Sequence, residues 1–411
     1  MRLLPIIALA AALLQPALAS VTSPAEDLPA LVDGNTEFAL DMFGLLSAEA
    51  SDGNLFFSPF SISSALGMTY AGARGGTEEQ MADVLHFRLP HLSLHPCFHA
   101  LLDRMDADYR AALADEDAEP LILEVANAIW VERSFRLLDD YVDIVVEQYG
   151  AEARNVDFIN DPETQRLTIN EWVSERTSNR IQDLLAPGTI TGLTRVVLTN
   201  AIYFKGTWLS EFDEGVTREE DFTLLDGTIV RVPMMHQTHT FSAGRGPGCS
   251  AIRLPYSDAL SSMLIILPDG DLSGFEEGLD RETLEAVFSS LCPVETVLSM
   301  PSFEFSTGFM LNDALISLGM TDAFDEALAD FSGFTGGRDL FVSAVIHKAF
   351  VKVDETGTEA AAATAVVMNM TTSAQPHQPF VFRVDKPFLF LVMDDLTGSI
   401  LFIGRVADPR A

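Results

Sequence analysis

A mixed α+β fold is what the sequence predicts, and three observations carry that reading. Apolar residues in the first half recur mostly at helical spacing, whereas the chain from about Arg231 onward is dominated by runs rich in Val, Ile and Phe. The two kinds of segment do not alternate as regular βαβ units would. Nor is there an internal repeat, a low-complexity linker or a long charge block, so a single domain over 21–411 is expected. With 411 residues, 48% of them hydrophobic, the chain can bury a sizeable core.

The elements follow in order. Met1–Ser20 reads as a secretory signal peptide: Arg2 opens it, Leu3–Leu14 is almost wholly apolar, and Ala17-Leu18-Ala19 is a small-x-small cleavage signal. The apolar run is too short to span a bilayer comfortably, so export is expected, outside the cell or to the periplasm of a bacterial source. Helical spacing marks Leu28–Glu49, Ser61–Ala73 (after the Ser58-Pro59 start signal), Thr77–His86, Cys97–Leu113, Asp139–Tyr149 and Pro162–Leu185. Leu121–Val131 and Thr194–Phe204 read as strands between them. Later strands are expected at Ser262–Leu267, Glu295–Met300, Leu340–Val353, Pro387–Met393 and Ser399–Val406, with helices at Arg281–Leu291 and Met310–Leu318.

A net charge of −35, from 25 basic and 60 acidic residues, repels phosphate backbones and anionic lipid. Nucleic acid, membranes and heparin-like polyanions are therefore not expected as partners. Cys97, Cys249 and Cys292 allow at most one disulfide within the chain, so stability must come from the core. His86, His91, His95, Cys97 and His99 fall within 14 residues. Pro96 is expected to interrupt any helix carrying His91, His95 and His99, and these side chains read as structural or surface groups, with no metal. No G-x-S-x-G, P-loop, H-E-x-x-H or dinucleotide fingerprint occurs, so neither an enzyme nor a cofactor is expected.

The unusual stretch is Asp354–Gln378. After Asp354-Glu355-Thr356-Gly357-Thr358-Glu359 it runs through four alanines to Val367-Met368, then into a polar tail of breakers. On propensity alone it is a helix capped by Thr358. Read as an extended chain, it places Thr358, Ala360, Ala362, Thr364, Val366 and Met368 on one small-to-apolar face, with Glu359 on the other. Such a segment can enter a sheet without a clash. The driving force would come from burying side chains such as Val366 and Met368, at about 1.5–3 kcal/mol each.

Val353–Val366 resembles the hinge of an inhibitory serpin at Glu355, Gly357, Thr358, Glu359, Ala360, Ala361, Ala362 and Ala363. Asn54-Leu55-Phe56-Phe57-Ser58-Pro59-Phe60-Ser61 and the run Leu198–Trp208 resemble further motifs of that family. So do Ala329–Gly333, His347-Lys348-Ala349, Asp385–Phe390 and Leu401–Val406, and the similarity extends over about residues 28–410. The resemblance implies a serpin fold of three β-sheets and eight or nine helices with an exposed reactive-centre loop at about 355–379. It implies a monomer that is not an enzyme but inhibits one: a target protease cleaves the loop, becomes acylated by it, and is trapped when the loop inserts into the main sheet. Ser58, Ser61, Asn200 and His347 match a hydrogen-bonded cluster beneath the sliding strands, and Trp208 the place where the loop first inserts. One position departs from the pattern. Ser302 follows Pro301 where many members carry a lysine, which deprives Glu355 of its usual partner.

Counting from Glu355 with the usual loop length puts the scissile bond at Thr371-Thr372, or at Met370-Thr371 in a register one residue shorter. Thr or Met there suits a protease with a small or medium apolar pocket, elastase-like or subtilisin-like. No Lys or Arg lies between Lys352 and Arg383, which argues against a trypsin-like target. Asn369-Met370-Thr371 is also a glycosylation sequon. The competing expectation is a non-inhibitory member serving as carrier, chaperone or storage protein. Such members typically carry bulky or charged hinges, unlike Thr358 and its four alanines.

Overall fold

In the computed structural model, which describes residues 23–50, 53–106, 121–358 and 378–411, the chain opens with helix α1 (Pro24–Glu49). Ser23 and Glu26 form a capping box at its start, and Pro24 takes the first helical position, where no N–H is needed. Strand β1 (Leu55–Phe57) leads into α2 (Pro59–Tyr70), whose N-cap Ser58 accepts from the Ser61 N–H at 3.1 Å. All twelve residues of α2 are buried, so this helix lies inside the core. Next come α3 (Gly75–Val84), α4 (His91–Met105), β2 (Ile122–Glu132), α5 (Asp139–Tyr149), β3 (Glu152–Val156), α6 (Pro162–Arg176) and β4 (Val196–Thr207).

The second half contributes β5 (Arg218–Thr223), β6 (Ile229–Gly246), β7 (Cys249–Pro255), β8 (Ser261–Pro268), α7 (Leu272–Glu277), α8 (Arg281–Ser290), β9 (Cys292–Pro301), β10 (Phe303–Met310), α9 (Asn312–Leu318) and α10 (Ser332–Thr335). It ends with β11 (Val342–Val353), β12 (Gly357–Thr358), β13 (Phe380–Arg383), β14 (Phe388–Asp394) and β15 (Ile400–Val406). Among the described residues this makes nine helices of six residues or more and the four-residue α10.

One sheet has six strands in the order β10-β11-β12-β4-β2-β3, with β11 also paired directly to β4. The remaining strands follow the path β1-β15-β14-β8-β7-β6-β9-β13, with β5 on β6. The 18-residue β6 joins two sheets along that path: its first half pairs β5, its last residues pair β7, and β9 runs along most of its length. The expected three-sheet α+β architecture is thus present. Alternation along β2 and β4 sends Ile129, Val131, Leu198 and Ile202 into the main core. Trp130, Val197 and Ala201 go to a second cluster beneath α6, with Ile169, Trp172 and Val173.

Three expectations need correction. The helix expected over Pro162–Leu185 stops at Arg176, and Ser178, Asn179 and Asp183 adopt left-handed backbone. Ile181, Leu184 and Leu185 keep apolar spacing because they anchor a loop, with Arg166 and Asn170 both donating to the Leu185 carbonyl at 2.7 and 3.0 Å. The helix expected from Cys97 begins at His91 and includes Pro96. Pro96 leaves the Leu92 carbonyl without its helical donor, but this falls in the first turn, at a residue that is 79% exposed. Met310, expected to open a helix, closes strand β10. Met1–Ser20 lies outside the described residues.

Candidate functional site

Strand β11 and strand β4 run parallel and side by side from Val342/Val196 to Phe350/Tyr203. Beyond that point they part, and the chain leaving β11 folds back into the opening. Asp354 makes the turn: its Oδ1 accepts from the Thr356 N–H (3.1 Å), the Thr356 hydroxyl (2.8 Å) and the Gly357 N–H (3.2 Å). Gly357 and Thr358 then form β12, antiparallel to both neighbours, with Thr358 opposite Val353 on β11 and Gly206 on β4.

Gly357 is needed here for space. A Cβ would stand 2.2 Å from the Gly206 carbonyl oxygen and 2.7 Å from Thr207 Cα. Thr358 is 1% exposed, and its hydroxyl meets the buried hydroxyl of Tyr256 at 2.9 Å. Burial holds the Tyr256 phenol well above its ordinary pKa, so it stays protonated. Tyr256 stacks on Trp208 at 4.8 Å, and Trp208 clasps the turn from both ends. Its indole N–H donates to the Asp354 carbonyl (3.0 Å) and its backbone N–H to the Thr356 carbonyl (2.9 Å). The Phe212 N–H adds a bond to the Glu355 carbonyl at 2.8 Å. Glu355 finds a hydroxyl where a lysine was missing: Thr217 donates to its carboxylate at 2.6 Å.

Glu359, Ala360, Ala361, Ala362, Ala363, Asn369, Met370, Thr371 and Thr372 lie outside the described residues. The chain is next placed at β13, parallel to β9 over Thr296–Ser299. Arg383 closes β13 with ion pairs to Glu220 (2.7 Å) and Asp385 (3.0 Å). Burial works against the charge on Glu220, yet Arg218 and Arg383 prevail and hold its carboxyl down at about 2.

Lower in the six-stranded sheet, His347 on β11 and Asn200 on β4 are register partners. His347 Nδ1 hydrogen-bonds Asn200 Oδ1, and its Nε2 accepts the Ser58 N–H at 3.1 Å, which defines the tautomer. Asn200 Nδ2 donates to the Ser61 carbonyl at 2.9 Å and also reaches Ser61 Oγ and Asn127 Oδ1. Ser58 Oγ donates to the Leu401 carbonyl at 2.6 Å. His347 is completely buried, and burial lowers its imidazole to about 3, so it stays neutral. All four expected residues meet here. Asn127 on β2 is the member that sequence reasoning missed; its signal is a lone amide inside the apolar strand run Val125–Val131. Tyr256 was also missed, and nothing in its local sequence marks it.

The histidine group forms a hydrogen-bonded chain between helices. His91 Nδ1 meets His95 Nε2 (3.1 Å) and His95 Nδ1 meets the Tyr149 hydroxyl (2.7 Å), while Glu78 Oε1 lies 3.0 Å from His91 Nε2 without hydrogen-bond geometry. His99 points elsewhere, to Asp103 at 3.4 Å. Among the described residues, no three His, Cys, Asp or Glu side chains are arranged to hold a metal. Cys97, Cys249 and Cys292 are free thiols, the last of them exposed.

Comparison with known proteins adds an independent line. The sequence pattern of the serpin (serine protease inhibitor) family matches residues 33–409. An uncharacterized serpin-like protein of Thermococcus kodakarensis is 39% identical over 381 residues, covering 92% of this chain and 86% of that one. The human leukocyte elastase inhibitor is 38% identical over 389 residues, covering 92% of this chain and 99% of its own. The crystal structure of human thyroxine-binding globulin complexed with thyroine superposes with a TM-score of 0.81 at 29% identity, covering 95% of this chain and all of that one.

Proposed function

The chain belongs to the serpin family, and we propose that it is an exported, suicide-type inhibitor of an endopeptidase. The observation that carries this reading is β12: two of the expected hinge residues, Gly357 and Thr358, already occupy the opening between β11 and β4. Attack by the protease at Thr371-Thr372, or at Met370-Thr371, forms an acyl-enzyme and frees the loop from its C-terminal anchor on β13. Insertion then continues from Thr358, each new residue adding antiparallel bonds to β11 and β4 as their mutual parallel ladder separates. Ordering a residue costs about 1–2 kcal/mol, roughly what two net hydrogen bonds return, so the drive comes from burying the inward side chains. The acylated protease is carried along and distorted before it can deacylate.

The His347–Asn200 bond spans the two strands that must part. In this reading the cluster controls sheet opening, while Ser58 and Ser61 hold its fixed side on α2. Thr or Met at the attacked carbonyl, and the absence of Lys and Arg from 353–382, favour an elastase-like or subtilisin-like enzyme. The similarity to an elastase inhibitor supports the same choice.

Incubating the mature chain with elastase-, subtilisin-, chymotrypsin- and papain-like proteases tests this. The expected result is an SDS-stable adduct and a released peptide beginning at Thr372 or Thr371. Similarity to thyroxine-binding globulin supports a second reading, a non-inhibitory carrier. Clean cleavage without an adduct would favour it.

A further inference from the structure

Little backbone holds strand β13 in place. Its four residues pair, among the described residues, with β9 alone, and Val381 is 67% exposed. Just beyond it the Val384 N–H donates to the Ser299 carbonyl and the Thr223 N–H to the Asp385 carbonyl, both at 2.8 Å. The chain is thus fastened again as soon as β13 ends. Arg383 is the polar hold on β13 itself. Across three neighbouring strands, His236 on β6, Ser299 on β9 and Arg383 on β13 lie side by side.

Glu220 on β5 gathers the charges around this row. Its Oε1 accepts from Arg218 at 2.6 Å and its Oε2 pairs with Arg383 at 2.7 Å, while Asp385 takes the Arg383 Nε at 3.0 Å. His236 Nδ1 hydrogen-bonds the Ser299 hydroxyl at 2.9 Å. Its Nε2 stands 3.1 Å from Glu220 Oε1, closed to solvent and without a hydrogen bond among the described residues. The charged groups facing this imidazole are Arg218 and Glu220 from β5 and Arg383 from β13; β9 presents the Ser299 hydroxyl. Two carboxylates already balance two guanidiniums, so a third cation here would be unmatched. Burial first, then Arg218 and Arg383, hold the imidazole below its ordinary range against the pull of Glu220.

We propose that His236 is a pH-sensitive latch on β13, neutral while the strand is seated and protonated when it has left β9. Detachment takes Arg383 away and opens the row to water, while Glu220 stays beside the imidazole. The detached state therefore binds the proton more tightly than the seated one, and acid shifts the balance toward detachment. With an ordinary imidazole of 6.5 in the detached state, the shift reaches up to about tenfold at pH 5.5. None of these residues belongs to the hinge, so the latch stands apart from the inhibitor reading.

Hydrogen exchange of the full mature chain at pH 7.5, 6.5 and 5.5, corrected for intrinsic rates, reads the latch directly. The opening of Phe380–Arg383 should rise by up to about tenfold relative to Phe390–Val392 on the buried strand β14, which reports opening of the whole fold. His236→Gln should abolish that rise, and His239→Gln, at an exposed position on the same strand, should keep it. Titration of the His236 ring by NMR gives a second measure. Arg383→Gln removes an opposing cation and should move the midpoint of that titration upward. No relative rise in the parent chain, a rise that persists in His236→Gln, or a midpoint unmoved or lowered by Arg383→Gln would overturn the proposal.

Discussion

The hydroxyls of Tyr256 and Thr358 meet 2.9 Å apart, both buried, where β12 is wedged between β11 and β4. Thr358→Val leaves the Tyr256 hydroxyl unpaired and should cost about 1–3 kcal/mol in urea unfolding. Adding Tyr256→Phe should recover much of that loss, and a double-mutant cycle with no coupling would contradict the bond's role. Thr358→Arg places a charge at the same point, where burial costs several kcal/mol. That variant should be cleaved as a substrate, with little SDS-stable adduct.

Gly357→Ala tests the close approach of β12 to β4. Its Cβ would meet backbone atoms of Gly206 and Thr207, which have no flexible end to move aside. The expected cost is about 1–3 kcal/mol, with β12 displaced from the sheet. Amide exchange at Trp208, whose N–H is held by Thr356, should accelerate, and the Trp208 emission should change as the clasp opens.

Acid should destabilise the fold through two buried imidazoles. Burial lowers His347 and His95 to about 3, against 6.5 for the free side chain. Between those values the unfolded chain binds protons that the folded chain refuses. Each histidine therefore removes about 1.4 kcal/mol of stability per pH unit as pH falls from 6.5 toward 3. Urea unfolding at pH 7, 6, 5 and 4 should show this slope, and His95→Gln should reduce it by one histidine's share.

Asn127→Ala removes an acceptor for the Asn200 amide, which retains the Ser61 carbonyl. A loss of about 1–2 kcal/mol is expected in thermal unfolding. Stability equal to that of the parent chain would place Asn127 outside the working cluster.

Cleavage within 359–377 should raise the melting temperature if the loop inserts. Burial of Val366 and Met368 at about 1.5–3 kcal/mol each corresponds to a rise of about 4–7 °C for a chain of this length. An unchanged melting curve after nicking would favour the carrier reading.

Much of the architecture was legible because it is written locally. Ser58-Pro59 announces a helix start, the Val-, Ile- and Phe-rich run up to Val353 announces a strand, and Gly357-Thr358 stands where the insertable segment was expected to begin. Local rules failed where distant packing prevailed. The leucines after Arg176 mimic a helix but anchor a loop under α6, and an exposed first turn tolerates Pro96.

The sequence by itself determined where small, uncharged side chains follow one another between Ala360 and Met368, and how strongly acidic the chain is. Those properties depend on side-chain size, charge and a two-residue alternation, all readable along a few neighbouring positions. Only the tertiary structure decided that Tyr256 would cap a threonine 102 residues away, that Thr217 would answer Glu355, and that Asn127 would join Asn200. These pairings follow from strand register, which non-local contacts set after the chain has closed long loops, so no short stretch of sequence encodes them.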